Sequence, residues 1–224
     1  MDMLSYLLGK NNGSESDLTK YFNSSFSETS NNKVGWTDLV KKIPEPVVCS
    51  ATTMSFAFAW CNYIPQFTLT NENSITVWNQ CFAGCRDTRK LDLSHINFST
   101  SCYNFQNMFV YSYFDEINMS SLGNLSTYQG IEFSYMFSNS KVKKINLSNL
   151  SCSKEGHHAS SMFGGCTQLE ELDMSSFDFT KLFSYDGMFY DVPTNCLIYV
   201  KDQTQVDWFT TNFPSLTNVV IKGA

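Results

Sequence analysis

A four-residue motif that returns at near-constant spacing constrains this chain more than any other feature. LDLS at Leu91–Ser94 recurs as INMS at Ile117–Ser120, INLS at Ile145–Ser148 and LDMS at Leu172–Ser175, in steps of 26, 28 and 27 residues. A looser copy, FTLT at Phe67–Thr70, precedes the first by 24. An aromatic keeps the same time: Phe58, Phe82, Phe109, Phe137, Phe163 and Phe189 each stand eight or nine residues ahead of a strand-like segment. A unit of this size cannot bury its own apolar side chains, whereas stacked copies bury them against one another. Self-similarity at this period therefore predicts a solenoid rather than a globule around one central core.

Within each tetrad apolar and polar residues alternate, the period of a short strand with one buried face. Leu91, Leu93, Ile117, Met119, Ile145, Leu147, Leu172 and Met174 are then inward, and Asp92, Asn118, Asn146 and Asp173 form an outward polar column. Upstream, the repeat aromatics have companions one and four residues earlier: Cys81 and Trp78, Met108 and Phe105, Met136 and Phe133, Met188 and Tyr185. That spacing marks one face of a helical turn. The expected fold is an α/β repeat solenoid with short parallel strands and one short helical turn per repeat of about 26 residues. Six or seven rungs would make a ladder roughly 30 Å long.

A stack needs capped ends, since a bare terminal rung exposes core and unpaired strand groups. Residues 34–50 supply an N-terminal cap, with Trp36, Leu39 and Val40 on a short helix stopped by Pro44 and Pro46. Residues 51–195 hold the repeats, and 196–224 a β-α-β C-terminal cap. In that cap LIYV at Leu197–Val200 is a strand, and Asp202 N-caps a helix from Gln203 to Asn212 with Val206, Phe209 and Phe213 inward. Pro214 ends the helix and NVVI at Asn218–Ile221 closes the unit. Residues 11–33, rich in Asn, Ser and Glu, form a polar linker, leaving 1–10 as a small docking peptide whose apolar contacts are Met3, Leu4, Tyr6, Leu7 and Leu8.

The chain is 15% aromatic and 16% charged, which excludes a disordered chain. A net charge of −6 and a pI near 5.0 argue against nucleic acid and anionic membrane surfaces as partners. No stretch approaches the roughly 20 apolar residues of a bilayer span, so no membrane insertion is expected. MDMLSYLLGK lacks a basic n-region and a small-residue cleavage site, so the expectation is a cytoplasmic product that leaves by lysis or inside a particle.

The repeats resemble the BspA-like leucine-rich repeat proteins. LDMSSFDFTKLFSYDGMF (Leu172–Phe189) and SSMFGGCTQLEELDMSSFD (Ser160–Asp178) carry the resemblance, and NYIPQF (Asn62–Phe67) is similar to that family's early-repeat variant. It covers about residues 47–200 and implies a surface-exposed adhesion and recognition module without naming a ligand. The opening MDMLSYLLGK and its polar linker resemble the leader of small structural proteins in phages and prophages of Firmicutes. Together these imply a non-enzymatic recognition or structural module of a virion, of tail or receptor-binding type. The docking peptide would hold other particle proteins, and the solenoid would face a host glycan or protein. A bacterial cell-surface adhesin, or a general protein-interaction repeat domain, is the alternative. A homo-oligomer would suit a fibre-type part, although no heptad run supports one.

Candidate sites are few. Cys61, Cys85 and Cys166 lie three residues after the repeat aromatic, where other repeats have Ser112 and Ser140, and Cys81 replaces a Met. This alternation favours soft packing residues in a column. A lone CxxxC at Cys81 and Cys85 lacks a second ligand pair for zinc, and Cys49, Cys102, Cys152 and Cys196 cannot be paired as disulfides from spacing. His157 and His158, in SKEGHHASS, are expected in a solvated loop, His95 at a strand rim, and Glu170 with Glu171 in a solvated bend. No hydrolase, metalloprotease, P-loop or dinucleotide motif is present, and no cofactor is implied. The binding candidates are the strand-face column, Asp92, Asn118, Asn146 and Asp173, and Trp60 as an exposed aromatic near the bend.

Overall fold

The computed structural model describes residues 47–49, 53–60, 67–69, 74–86 and 89–223. The leader residues Met3, Leu4, Tyr6, Leu7 and Leu8, the linker, and the helix expected around Trp36 lie outside the described residues. In chain order the strands are β1 (Val47–Cys49), β2 (Phe67–Leu69), β3 (Leu91–Asp92), β4 (Glu116–Asn118), β5 (Asn124–Leu125), β6 (Lys144–Asn146), β7 (Ser151–Cys152), β8 (His157–His158), β9 (Glu171–Asp173) and β10 (Leu182–Ser184). β11 (Leu197–Val200), α1 (Gln203–Asn212) and β12 (Val219–Ile221) follow.

The chain winds as a solenoid of parallel strands. β3, β4, β6, β9, β11 and β12 form one six-stranded parallel sheet, with Leu91, Ile117, Ile145, Leu172, Ile198 and Val219 in a single register. β1 and β2 pair in the same parallel sense, so a strand lies inside the stretch read as the N-terminal cap. Two further ladders, β5 with β7 and β8 with β10, lie off the main sheet. Single bridges linking Val77, Asn104, Glu132 and His158 extend the second of these across five rungs, from Val77 to β10.

All eight residues expected inward from Leu91 to Met174 are at most 7% exposed, and the alternation holds in β3, β4 and β6; in β9 it fails, because Asp173, expected outward, is also only 7% exposed. The repeat phenylalanines form one continuous stack, Phe58–Phe82–Phe109–Phe137–Phe163–Phe189. Successive centroids are 5.4, 5.3, 5.0, 5.4 and 5.3 Å apart and ring planes within 16°. Phe105 and Phe133 stack beside it at 5.6 Å.

The expected helical turn is not there. Each repeat instead has two successive turns, as in Trp78–Cys81 and Phe82–Cys85, where the N–H of the fourth residue donates to the carbonyl of the first. The third residue of each has positive φ, 53° at Gln80 and 64° at Gly84, as in type II turns. The intervening N–H groups point along the stack. Those of Trp78, Gln80, Phe82 and Gly84 donate to the carbonyls of Asn104, Gln106, Met108 and Val110 in the next rung, at 2.7–3.0 Å. An α-helix directs every N–H along its own axis and could not build such a ladder. The two-turn path still buries residues at spacings of three and four, so it mimics a helix in the apolar pattern.

The C-terminal cap follows the expectation. Asp202 accepts from the N–H of Gln205 at the start of α1, and β12 pairs in parallel with β11. Phe209 and Phe213 of the cap lie against Phe189, at 5.3 and 5.0 Å, and close the phenylalanine stack. Gln205, 3% exposed, fastens the helix: its amide oxygen accepts from the N–H of Phe179 and its nitrogen donates to Asp178.

Candidate functional site

The stack presents two long faces of different chemistry. On the strand face Asp92, Asn118, Asn146 and Asp173 are aligned rung to rung, but the expected outward column is corrected at its end, where Asp173 is buried. One side-chain oxygen of each is engaged internally, Asp92 Oδ1 accepting from Ser94 N–H, Asn118 from Ser120, Asn146 from Ser148 and Asp173 from Ser175, at 3.0–3.1 Å. These are Asx turns that bend the chain out of the strand. Asn118 also donates to Asp92 across one rung at 3.0 Å, and Lys222 pairs with the buried Asp173. Burial alone would raise the Asp92 carboxyl, but hydrogen bonds from Ser94 and Asn118, together with Lys90, hold it below the ordinary value. Beside the column, Lys90 pairs with Glu116 (3.2 Å) and Lys144 with Glu171 (3.5 Å). The strand face thus ties one oxygen of each column residue, and two of its flanking lysines, to partners within the molecule.

The face made by the double turns differs. Five turn segments, Ser55–Trp60, Asn79–Gly84, Gln106–Tyr111, Ser134–Asn139 and Ser160–Gly165, contain no Asp, Glu, Lys or Arg in a chain that is 16% charged. Their outward positions include Phe56, Trp60, Tyr111 and Tyr135, which are 42–55% exposed. All four are at φ between 56° and 64°, a region that bulky side chains occupy at a cost of about 1 kcal/mol or more. Equivalent positions in other rungs hold Gly84, Asn107, Asn139, Gly165 and Gly187, also at positive φ, so the backbone path does not call for an aromatic. Trp60, the expected exposed aromatic, lies across Gly84. A Cβ on Gly84 would be 2.2 Å from the indole, so this glycine is required by space as well as by φ.

Sequence reasoning found Trp60 but not Phe56, Tyr111 or Tyr135. Their signal is available in hindsight: each stands two residues before or after the repeat phenylalanine, the phase of the glycines and asparagines of neighbouring repeats.

The expectation of a solvated His157 is corrected. His157 is fully buried; Nδ1 accepts from Ile131 N–H at 3.2 Å and Nε2–H donates to the carbonyl of Lys154 at 2.9 Å. The position needs a flat ring with an acceptor on one side and a donor on the other, so the imidazole is neutral. Burial, with Lys181 and His158 nearby, lowers its pKa. His158 is half-buried, with Nδ1 3.0 Å from Ser184 Oγ.

The six described cysteines are buried thiols. Cys85 and Cys166 donate from Sγ to the carbonyls of Phe58 and Phe137 in the preceding rung, both at 3.0 Å. At the matching positions Ser140 Oγ lies 3.5 Å from Cys166 Sγ, and the buried Ser112 Oγ has no hydrogen-bond partner among the described residues, so the column is filled by size rather than by one shared bond. Burial pushes Cys102, Cys152 and Cys196 up to about 12 and Cys166 up to about 11. Among the described residues no group of three or more His, Cys, Asp or Glu could hold a metal ion, and no helix is long and apolar enough to cross a membrane. No family model, no curated protein and no solved structure matches the chain.

Proposed function

We propose that this chain is a non-enzymatic recognition module of a phage or prophage particle, docked through its leader and displaying the solenoid to a host surface. The observation that carries the recognition role is the turn face: exposed aromatic rings held at positive φ on a rigid ladder, in a field without charge. Rigid aromatics on a preorganised scaffold provide contact area at low entropic cost. The particle assignment rests on the likeness of MDMLSYLLGK and its linker to phage leaders, with Met3, Leu4, Tyr6, Leu7 and Leu8 as the docking side chains. The BspA-like resemblance of the repeats also favours a second reading, a bacterial adhesin outside any virion.

Two measurements test the proposal. Deleting Met1–Asn12 should remove the protein from purified particles; unchanged incorporation sinks the docking role. The full chain should be captured by intact Firmicute cells, and changing Trp60, Tyr111 and Tyr135 together should abolish capture. If Asp92, Asn118, Asn146 and Asp173 prove to be the sensitive positions instead, recognition belongs to the strand face.

A further inference from the structure

We infer that the turn face is a carbohydrate-binding surface for an uncharged polysaccharide, whose sugar rings stack on Phe56, Trp60, Tyr111 and Tyr135 and whose hydroxyls bond to Gln80, Asn107 and Asn139. This rests on the turn face being the recognition surface and names what it takes.

The chemistry of the face selects the ligand class. An anionic polymer, nucleic acid or phosphodiester, needs cations, and the five turn segments from Ser55 to Gly165 have none. A cationic partner needs carboxylates, which enter only in the sixth rung at Asp186 and Asp191. A purely apolar partner would be poorly served, because amides lie among the exposed rings, with Gln80 and Asn107 between Phe56 and Tyr135 and Asn139 beside Tyr111 in its column. Gln80 donates to Asn79 at 3.4 Å and Asn139 to Ser138 at 3.0 Å, and each retains donor and acceptor capacity toward solvent. A pyranose matches this mixture: its C–H face stacks on an aromatic ring, and its edge of hydroxyls both donates and accepts.

Periodicity extends the match. The phenylalanine stack beneath sets the rungs 5.0–5.4 Å apart. Trp60 and Tyr111 share one column two rungs apart, with Gly84 between them under the indole. Phe56 and Tyr135 share the other outward column, with Gln80 and Asn107 between them. A repeating ladder that offers rings interspersed with amides at a fixed rung spacing fits a repeating polymer better than one compact epitope.

The test uses the full chain and Firmicute cell walls prepared in three ways: protease-treated, periodate-treated to cleave vicinal diols, and stripped of phosphodiester polymers. Trp60→Asn and Tyr111→Asn are the informative variants, since Asn occupies the same φ at Asn107 and Asn139 and keeps the fold, which a denaturation midpoint checks. Capture should survive protease and phosphodiester stripping and be lost on periodate treatment. It should weaken at least about tenfold in each variant, about 1.4 kcal/mol. It should hardly change between about 0.1 M and 1 M salt, where the screening length falls from about 10 Å to 3 Å. Capture lost on protease or on stripping, or steeply salt-dependent, overturns the carbohydrate class while leaving recognition standing. Capture by no wall at all overturns the recognition reading itself.

Discussion

Acidification from pH 7.5 to 5.5 should destabilise this protein through one residue, His157. Its ring is fully buried and neutral, with the Nδ1 lone pair facing the N–H of Ile131 and Nε2–H satisfied by the Lys154 carbonyl. A proton added at Nδ1 would set two donors against each other, and Lys181 and His158 already disfavour positive charge there. The folded-state pKa is therefore below the ordinary 6.5. For such a group the stabilisation is complete above pH 6.5 and declines as pH falls below it, because the unfolded chain takes up the proton first. One unit below 6.5 the loss reaches at most about 1.4 kcal/mol. With a urea m-value near 3 kcal/mol/M, that moves the midpoint by roughly 0.5 M. Urea melts followed by tryptophan fluorescence at both pH values would read it, with His157→Gln as the non-titrating comparison. The comparison is of slopes, so a variant of lower overall stability still serves. Equal pH dependence in the two proteins, or a wild type that gains stability on acidification, would refute the reasoning.

Other outcomes follow from the same geometry. Gly84→Ala should cost about 2–3 kcal/mol, combining positive φ with displacement of the Trp60 ring, but only about 1 kcal/mol in a Trp60→Ala background; equal costs in both would show that the indole does not sit on Gly84. Cys102, Cys152, Cys166 and Cys196 should resist alkylation at pH 8 in the native protein and react in denaturant, as read by peptide mass spectrometry. Gln205→Ala should lower stability by about 1–3 kcal/mol, since it leaves the N–H of Phe179 without its partner at the junction between the last rung and α1; a neutral result in a thermal melt would mean that α1 is held by apolar contacts alone.

How far the sequence disclosed this fold depends on what each element asks of its residues. A strand with one buried face requires alternation, so Leu91, Asp92 and Leu93 announced their places, as did the tetrads at Ile117 and Ile145; at Leu172 the apolar half was legible, but Asp173 is buried beside Lys222 of the cap, which no local pattern encodes. The cap at Asp202 was legible for the same reason, because an N-cap and a following apolar stripe are local chemistry. The double turns were not. They bury Trp78, Cys81, Phe82 and Cys85 at spacings shared with a helix, and what separates the two is a backbone sign at Gln80 and Gly84 that only glycine suggests. Where Phe56, Trp60, Tyr111 or Tyr135 takes that sign, propensity points away from the observed conformation, so the face they form was invisible beforehand apart from Trp60. His157 was misplaced because its burial depends on Ile131 and Lys154, an acceptor and donor arrangement that no local pattern encodes.

The two faces of one rung place different demands on side chains, and this bears on where recognition can reside. In the strand ladder the side chains are structural: Asp92 or Asn118 must form its Asx turn, and Lys90 and Glu116 neutralise each other across rungs. In the turn ladder backbone groups do the joining. One set of N–H groups closes each turn on itself, and the alternate set donates to the next rung, as from Phe109 to Met136 and from Phe137 to Met162. Outward side chains there are required by no such bond; apart from Gly84 and Gly165, where a Cβ would meet Trp60 and Asn139, their constraint is positive φ, met by Asn139 or Tyr111 alike. Each of these others can therefore be exchanged at a cost near 1 kcal/mol, small against the burial of a phenylalanine stack six rings long. A surface whose side chains can vary while its backbone stays fixed is suited to matching an external ligand, and on this molecule that surface is the turn face.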